Sequence, residues 1–143
     1  MKISQDWSPS ELGRELLRTA SSGPNGSAGT YGRSVAGAAL RFFALGRGRR
    51  RLLLTAAHHA NEWITAPLLL RFAGELAAGV WPGALDGTRV FFAPLVNPDG
   101  ARLVTGELAS GPLFENARRI AEKYPDIPFP DGWKANLRGV DLN

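Results

Sequence analysis

The chain has 143 residues, of which 44% are hydrophobic and 21% are charged, and its formal net charge is +4. This composition is typical of one soluble globular domain and excludes a disordered, collagen-like or disulfide-stapled chain. Because the sequence has no cysteine, any bound metal must be held by His, Asp or Glu.

The sequence as given is not expected to direct the chain into or across a membrane. Its first residues have no apolar core of the secretory type, and no apolar run reaches the roughly 18 residues that a membrane span needs. The sequence therefore predicts a cytoplasmic protein. Its densest basic group is the segment of residues 47–51, here called the basic turn. The basic turn fits a solvated hairpin turn, or a surface that binds nucleic acid, anionic lipid or an acidic cell-wall polymer.

A helix is predicted near the start of the chain. Ser8 is the expected N-cap, Pro9 suits the first turn, and Glu11 completes a capping box. We expect this helix to run to about Thr19. Residues 21–29 are rich in Gly, Ser, Pro and Asn, which predicts a loop.

Four short strands are predicted after this loop. They span residues 30–34, 40–45, 52–57 and 89–95. The third is a continuous apolar run, as expected of a strand that is covered on both faces inside a sheet.

The remaining segments alternate with these strands. Residues 62–78 have helical periodicity, and residues 112–124 predict a further helix. Residues 97–100, with the sequence Asn-Pro-Asp-Gly, fit a type I turn, which explains their polar side chains. The alternation of strand, helix and strand indicates an α/β layer fold, and residues 1–143 contain no boundary that would justify a second domain.

Two residues of metal-binding type lie three positions apart where a strand leads into a helix. If the helix begins near residue 60, His59 and Glu62 converge above the edge of the sheet. Both are normal zinc ligands, and catalytic zinc sites take three protein ligands and leave a position for water. The pair also fits an ordinary helix start, in which the helix dipole favours Glu62. His58 points the opposite way if the strand continues, so we expect a buried or loop histidine there.

The surroundings of this pair resemble the zinc metallocarboxypeptidases, the carboxypeptidase A-like family. The resemblance rests on the hairpin at residues 31–37, the segment 52–65, the turn 97–100, and Gly-Val-Asp-Leu-Asn at residues 139–143. More narrowly, residues 59–65 and 133–143 look like the bacterial γ-D-glutamyl-meso-diaminopimelate peptidases, which cut peptidoglycan stem peptides. The resemblance implies an α/β fold with three layers, helix, mixed sheet and helix, shortened to about four strands and three helices.

The same resemblance implies roles for individual residues. His59 and Glu62 would ligate zinc, the implied cofactor. Arg138 would bind substrate and polarise the scissile carbonyl, and Asn143 would help to hold the substrate carboxylate. Arg138 also fits a surface salt bridge. The expected partner is a peptide or a peptidoglycan stem peptide, and neither nucleic acid nor membrane is expected.

One part of such a zinc site has no counterpart in the sequence. The two histidines are adjacent, so no separate histidine remains for the third ligand that the resemblance implies. The general-base glutamate of the family cannot be assigned either. We therefore expect the chain to be the N-terminal part of one catalytic domain, with an unpaired strand at residues 52–57 and little or no peptidase activity alone. Two alternatives are an exopeptidase acting on protein C-termini, and a non-catalytic module that binds an anionic polymer through the basic turn.

Overall fold

The computed structural model describes residues 8–142, which form a mixed sheet with helices packed beside it. In chain order the elements are α1 (Pro9–Ser22), β1 (Ser27–Arg33), β2 (Ala39–Leu45), β3 (Arg50–Thr55), a 3₁₀ turn (Ala60–Glu62), α2 (Thr65–Ala77), β4 (Thr88–Ala93), α3 (Pro98–Val104) and α4 (Pro112–Ala121). The expected α/β class with a mixed sheet is confirmed. None of these helices is long and apolar enough to cross a membrane.

The start of α1 follows the predicted capping box. The Glu11 amide donates to the Ser8 hydroxyl oxygen, and the Ser8 amide donates to the Glu11 carboxylate, each at 3.2 Å. The two bonds satisfy backbone donors that a helix start leaves unpaired. The expected end at Thr19 is wrong by about one turn, because α1 continues to Ser22, whose hydroxyl donates to the Thr19 carbonyl at 3.0 Å.

The strands have the spatial order β1-β2-β4-β3. β1 with β2 and β2 with β4 are antiparallel, whereas β4 and β3 are parallel, since α2 connects β3 to β4 by a crossover. Phe43 of β2 lies opposite Phe92 of β4, and their rings stack at a centroid distance of 4.8 Å. Both side chains are fully buried, so this pair anchors the centre of the sheet.

The main hydrophobic core lies between one face of the sheet and the helices α1 and α2. Its buried members are Leu12, Leu16, Ala20, Phe43, Leu45, Ala57, Ala66, Leu70, Ala73, Leu76, Val90 and Phe92. Leu54 of β3 also packs against this cluster. The apolar stripe that the sequence predicts for this helix, at Ile64, Leu68, Leu69, Phe72, Leu76 and Ala77, is mostly wrong. The core face of α2 is formed by Ala66, Leu70, Ala73 and Leu76, whereas Ile64, Leu68 and Phe72 are exposed.

β3 forms an edge of the sheet as far as the described residues extend. It pairs with β4 on one side, and Leu52 and Leu53 remain 48% and 62% exposed. The expectation that this strand is covered on both faces is therefore wrong for residues 8–142, while the expected unpaired edge is confirmed. The open face of the sheet is lined by Tyr31, Phe42, Arg51, Leu53, Thr55 and Phe91.

A second hydrophobic cluster brings α3 and α4 together with the segment near residue 133. Its buried members are Ala60, Leu103, Ala117, Trp133 and Leu137. The type I turn predicted at residues 97–100 is wrong, because Asn97 caps α3 and Pro98 occupies its first turn. The residues that follow, Ala-Arg-Leu-Val, support the helix once it has begun. α4 ends at Ala121, about one turn earlier than predicted.

Candidate metal and substrate site

The connection between β3 and α2 is a tight segment rather than a direct start of the helix. Ala57 is buried and has a φ of 50°, the left-handed region that non-glycine residues seldom adopt. Its amide donates to the Thr65 hydroxyl oxygen at 3.0 Å, and that hydroxyl donates to the Glu62 carbonyl at 2.7 Å. The predicted helix from residue 62 is thus wrong at its start. A 3₁₀ turn comes first, and α2 begins only at Thr65.

This segment places His59 between two carboxylates. Its Nδ1 lies 3.1 Å from Oε1 of Glu62, and its Nε2 lies 3.3 Å from Oδ1 of Asp141. The imidazole is 17% exposed, whereas both carboxylates are more than half exposed. The convergence of His59 and Glu62 that their spacing predicts is therefore present. The sequence interpretation included Asp141 in a motif but gave it no role of its own.

Asp141 reaches His59 through a fixed turn. Oδ1 of Asn136 accepts hydrogen bonds from the amides of Arg138 at 2.9 Å and Val140 at 3.2 Å. Gly139 has a φ of 76°, and a Cβ at this position would lie 3.0 Å from the side chain of Ile120. Glycine is therefore required both by the backbone conformation and by the packing on α4.

Asn97 joins the two chain segments that form the site. Its side chain is almost completely buried, with 2% of the residue exposed. The side-chain amide donates to the carbonyl of His58 at 3.2 Å and to the carbonyl of Ala135 at 3.0 Å. Its Oδ1 accepts from the Gly100 amide at 3.1 Å and so caps α3. The sequence interpretation assigned Asn97 to a turn and missed this connection.

The other predicted residues have different surroundings. The side chain of Arg138 is exposed, three positions before Asp141. Nε2 of His58 lies 3.0 Å from the Thr55 hydroxyl, which confirms a loop histidine. The Asp99 carboxylate is buried and accepts from the Ser34 hydroxyl and the Ala36 amide, so it holds the β1–β2 connection. Asn143 lies outside the described residues.

The geometry of His59 and Glu62 fits part of a zinc site. Two ligand atoms of a tetrahedral zinc ion with bonds near 2.0–2.1 Å are separated by about 3.3 Å. The 3.1 Å between Nδ1 of His59 and Oε1 of Glu62 is close to that separation. A hydrogen bond from Nε2 to Asp141 would leave Nδ1 as the metal-binding nitrogen. Such a hydrogen bond to a carboxylate is the usual support for a zinc-bound histidine. Within residues 8–142, however, no group of three His, Asp or Glu side chains has the geometry of a metal site.

Comparison with known proteins assigns the chain to a family. Residues 16–143 match the family of zinc carboxypeptidases. The chain belongs to the zinc carboxypeptidase family. The match begins within α1 and includes every residue of the site described above. Zinc is accordingly the cofactor that the family implies.

Individual known proteins are also similar to this chain. Gamma-D-glutamyl-L-diamino acid endopeptidase 1 of Lysinibacillus sphaericus is 34% identical, and the match covers 78% of this chain and 30% of that protein. Uncharacterized protein YqgT of Bacillus subtilis (strain 168) is 31% identical, with 100% and 43% coverage. Among solved structures, bovine thrombin-activatable fibrinolysis inhibitor in complex with tick carboxypeptidase inhibitor matches with a TM-score of 0.65 and 17% identity, covering 92% of this chain and 37% of that one. The chain therefore spans less than half the length of each of these proteins.

Proposed function

We propose that this chain carries part of the active site of a zinc-dependent peptidase. The observation that carries the proposal is the His59 imidazole, held between the carboxylates of Glu62 at 3.1 Å and Asp141 at 3.3 Å. Such an arrangement suits a metal-binding histidine with a carboxylate behind it. Family membership supports zinc as the metal.

Each residue then has a defined task. Nδ1 of His59 and the carboxylate of Glu62 would hold the ion, and the Asp141 carboxylate would accept a hydrogen bond from Nε2–H and so fix the orientation of the ring. Zinc bound in such a site supplies a water activated for attack at neutral pH. The exposed Arg138 guanidinium stabilises the oxyanion that develops on the scissile carbonyl, and Asn143 binds the substrate carboxylate.

The proposed substrate is a peptidoglycan stem peptide that contains a γ-D-glutamyl-diaminopimelate bond. Support comes from the resemblance of residues 59–65 and 133–143, and from the relative named as a γ-D-glutamyl-L-diamino acid endopeptidase. An exopeptidase that releases C-terminal residues from proteins is the second candidate, because the family is that of the carboxypeptidases. Cytoplasmic localisation remains a prediction from the sequence, and action on a substrate or polymer within the cell wall would require the protein to be exported instead.

Zinc titration tests the metal site directly. Because two protein ligands hold zinc less tightly than three, we expect the 143-residue chain to bind zinc with micromolar or weaker affinity in isothermal titration calorimetry. His59→Ala and Glu62→Gln should abolish this binding. His58→Ala is the matched control, since His58 contacts Thr55 instead, and it should bind like the wild type. Equal zinc binding by the wild type and His59→Ala would contradict the proposed ligand set.

Hydrolysis tests whether the site is complete. We expect no detectable cleavage of a γ-D-glutamyl-diaminopimelate peptide by the 143-residue chain with zinc, measured by liquid chromatography and mass spectrometry. A peptide with an ordinary α-linked C-terminal residue serves as the parallel substrate. Sub-micromolar zinc affinity together with cleavage of either peptide would show that the described site needs no further ligand. The peptide that is cut would then decide between the two substrate classes.

A further inference from the structure

The basic turn, residues 47–51, concentrates unpaired positive charge at one end of the sheet. Arg47 and Arg49 are exposed in the β2–β3 connection, and Arg50 and Arg51 begin β3. Arg89 of β4 lies beside Arg51 in the parallel register. The ion pairs found among the described residues use other arginines, namely Arg14, Arg18, Arg71, Arg102 and Arg118. The positive charge of the basic turn is thus not neutralised within residues 8–142.

This end of the sheet accounts for the net charge of the whole chain. The sequence has seventeen Lys and Arg residues and thirteen Asp and Glu residues. When the four arginines of the basic turn, Arg89 and the neighbouring Asp86 are left out, twelve basic and twelve acidic residues remain. The rest of the chain is therefore balanced, and the positive field originates here.

The basic turn is held in one conformation by its neighbours. A Cβ on Gly48 would lie 2.0 Å from the carbonyl carbon of Gly87, so the two backbones are in direct contact. The Arg50 amide donates to the Gly87 carbonyl at 3.2 Å, and its guanidinium donates to the Asp86 carbonyl at 2.9 Å. Arg47 and Arg49 therefore extend from a fixed backbone, which lowers the entropic cost of binding a ligand.

The basic turn and the candidate zinc ligands lie at opposite ends of β3. Arg50 begins the strand, whereas His59 follows its last residue, Thr55. Six residues of extended strand span roughly 20 Å. A ligand on the basic turn would thus leave the surroundings of His59 free for a peptide.

We propose that the basic turn binds a linear phosphodiester polymer of the cell wall, at a site separate from His59. Guanidinium groups pair with phosphate through two parallel hydrogen bonds, and closely spaced arginines suit a chain of repeated phosphates. Between Gly46 and Arg51 the sequence contains only Gly and Arg. The turn thus has neither the apolar side chains that insert into a membrane nor the aromatic side chains on which nucleic-acid bases stack. The choice of a wall polymer rests on the proposed stem-peptide function, whereas the existence of an anion site does not.

Binding of poly(glycerol phosphate) to the complete chain tests the proposal. We expect Arg47→Glu/Arg49→Glu to weaken binding about tenfold or more, and added NaCl to weaken wild-type binding. Arg14→Glu/Arg119→Glu has the same formal charge at exposed positions elsewhere and should bind like the wild type. His59→Ala should also leave polymer binding unchanged, even if it abolishes zinc binding, so the two proposals can fail independently.

Three outcomes would overturn this inference. The first is equal binding by the two double variants, which would assign the effect to net charge alone. The second is tighter binding of the wild type to oligodeoxythymidylate with the same number of phosphates. The third is tighter binding to anionic phospholipid vesicles. If circular dichroism shows that Arg47→Glu/Arg49→Glu does not fold, Arg47→Gln/Arg49→Gln replaces it. This variant should bind the polymer about threefold more weakly than the wild type. Unchanged binding by this variant would count against the proposal.

Discussion

Two substitutions of Asn97 separate the role of its side-chain oxygen, which caps α3, from that of its side-chain NH2 group, which donates to backbone carbonyls. Asn97→Ala removes the cap of α3 and the amide that donates to the carbonyls of His58 and Ala135. Asn97→Asp keeps an oxygen that can cap Gly100 but replaces the amide with a second carboxylate oxygen. The pair therefore distinguishes capping from the connection between the two segments of the site.

The magnitudes follow from these contacts. Loss of an N-cap costs about 1 kcal/mol, and each hydrogen bond to a carbonyl that is not replaced costs about 1 kcal/mol more. We expect Asn97→Ala to lower the free energy of unfolding by about 2–3 kcal/mol. Asn97→Asp should cost at least as much, because a buried carboxylate then faces two carbonyl oxygens. For a chain of this length the melting temperature should fall by roughly 10 °C.

Urea unfolding at neutral pH, followed by far-ultraviolet circular dichroism, measures these differences. At low pH the introduced carboxyl is protonated and can donate again, so the difference between Asn97→Asp and the wild type should narrow. Wild-type stability of Asn97→Asp at neutral pH would refute the reasoning, because it would show that the cap alone explains the burial of Asn97.

Three further predictions concern stability and association. Burial raises the pKa of Glu107, but hydrogen bonds from Ser8 and Ser10 and the charge of Arg102 outweigh this effect and lower the pKa below 4.5. The ionised carboxylate therefore contributes to stability above pH 4.5, and this contribution should be lost as the pH falls through the lowered pKa. Urea midpoints of the wild type and Glu107→Gln should therefore differ at pH 7 and converge in acid. Leu53→Lys on the open edge should reduce self-association in size-exclusion chromatography. It should change the free energy of unfolding by less than about 0.5 kcal/mol. A larger loss of stability would show that Leu53 is packed. Gly48→Ala should destabilise the fold by about 2 kcal/mol or more, because its Cβ would clash with the backbone of Gly87. Gly13→Ala, inside α1 with nothing within 4 Å of its Cβ, should stabilise the fold by about 0.5–1 kcal/mol. Equal effects of the two substitutions in thermal melts would contradict the close contact at Gly48.

The sequence predicts the elements well where local chemistry decides them. Ser8 and Glu11 define the start of α1, and the apolar runs locate β2, β3 and β4. β1 begins at Ser27, inside the segment predicted to be a loop, because its sequence has no apolar run to mark it. The pattern could not show which face of β3 is covered, because an apolar strand reads the same at a sheet edge as in its interior. Burial depends on which other segments pack against the strand.

The site is predicted where its residues are close in sequence. The spacing of His59 and Glu62 is enough to predict their convergence, because it is set by a single turn. Asp141 and Asn97 contribute through contacts that join distant segments, and no local pattern reports such contacts. The rule that a carboxylate supports a metal-binding histidine would have drawn attention to Asp141 within its motif.

The segment at residues 57–60 connects the two hydrophobic clusters of the molecule. Ala57 belongs to the main core under the sheet, and Ala60 belongs to the cluster formed by α3, α4 and the region of Trp133. His59 and Glu62 depend on this local segment, whereas Asp141 follows the second cluster. Opening of that cluster would withdraw the carboxylate behind His59 without separating His59 from Glu62. The orientation of the His59 ring thus depends on the stability of the smaller hydrophobic cluster, not on the main core. Hydrogen exchange of amides near Leu137 should measure how often that cluster opens.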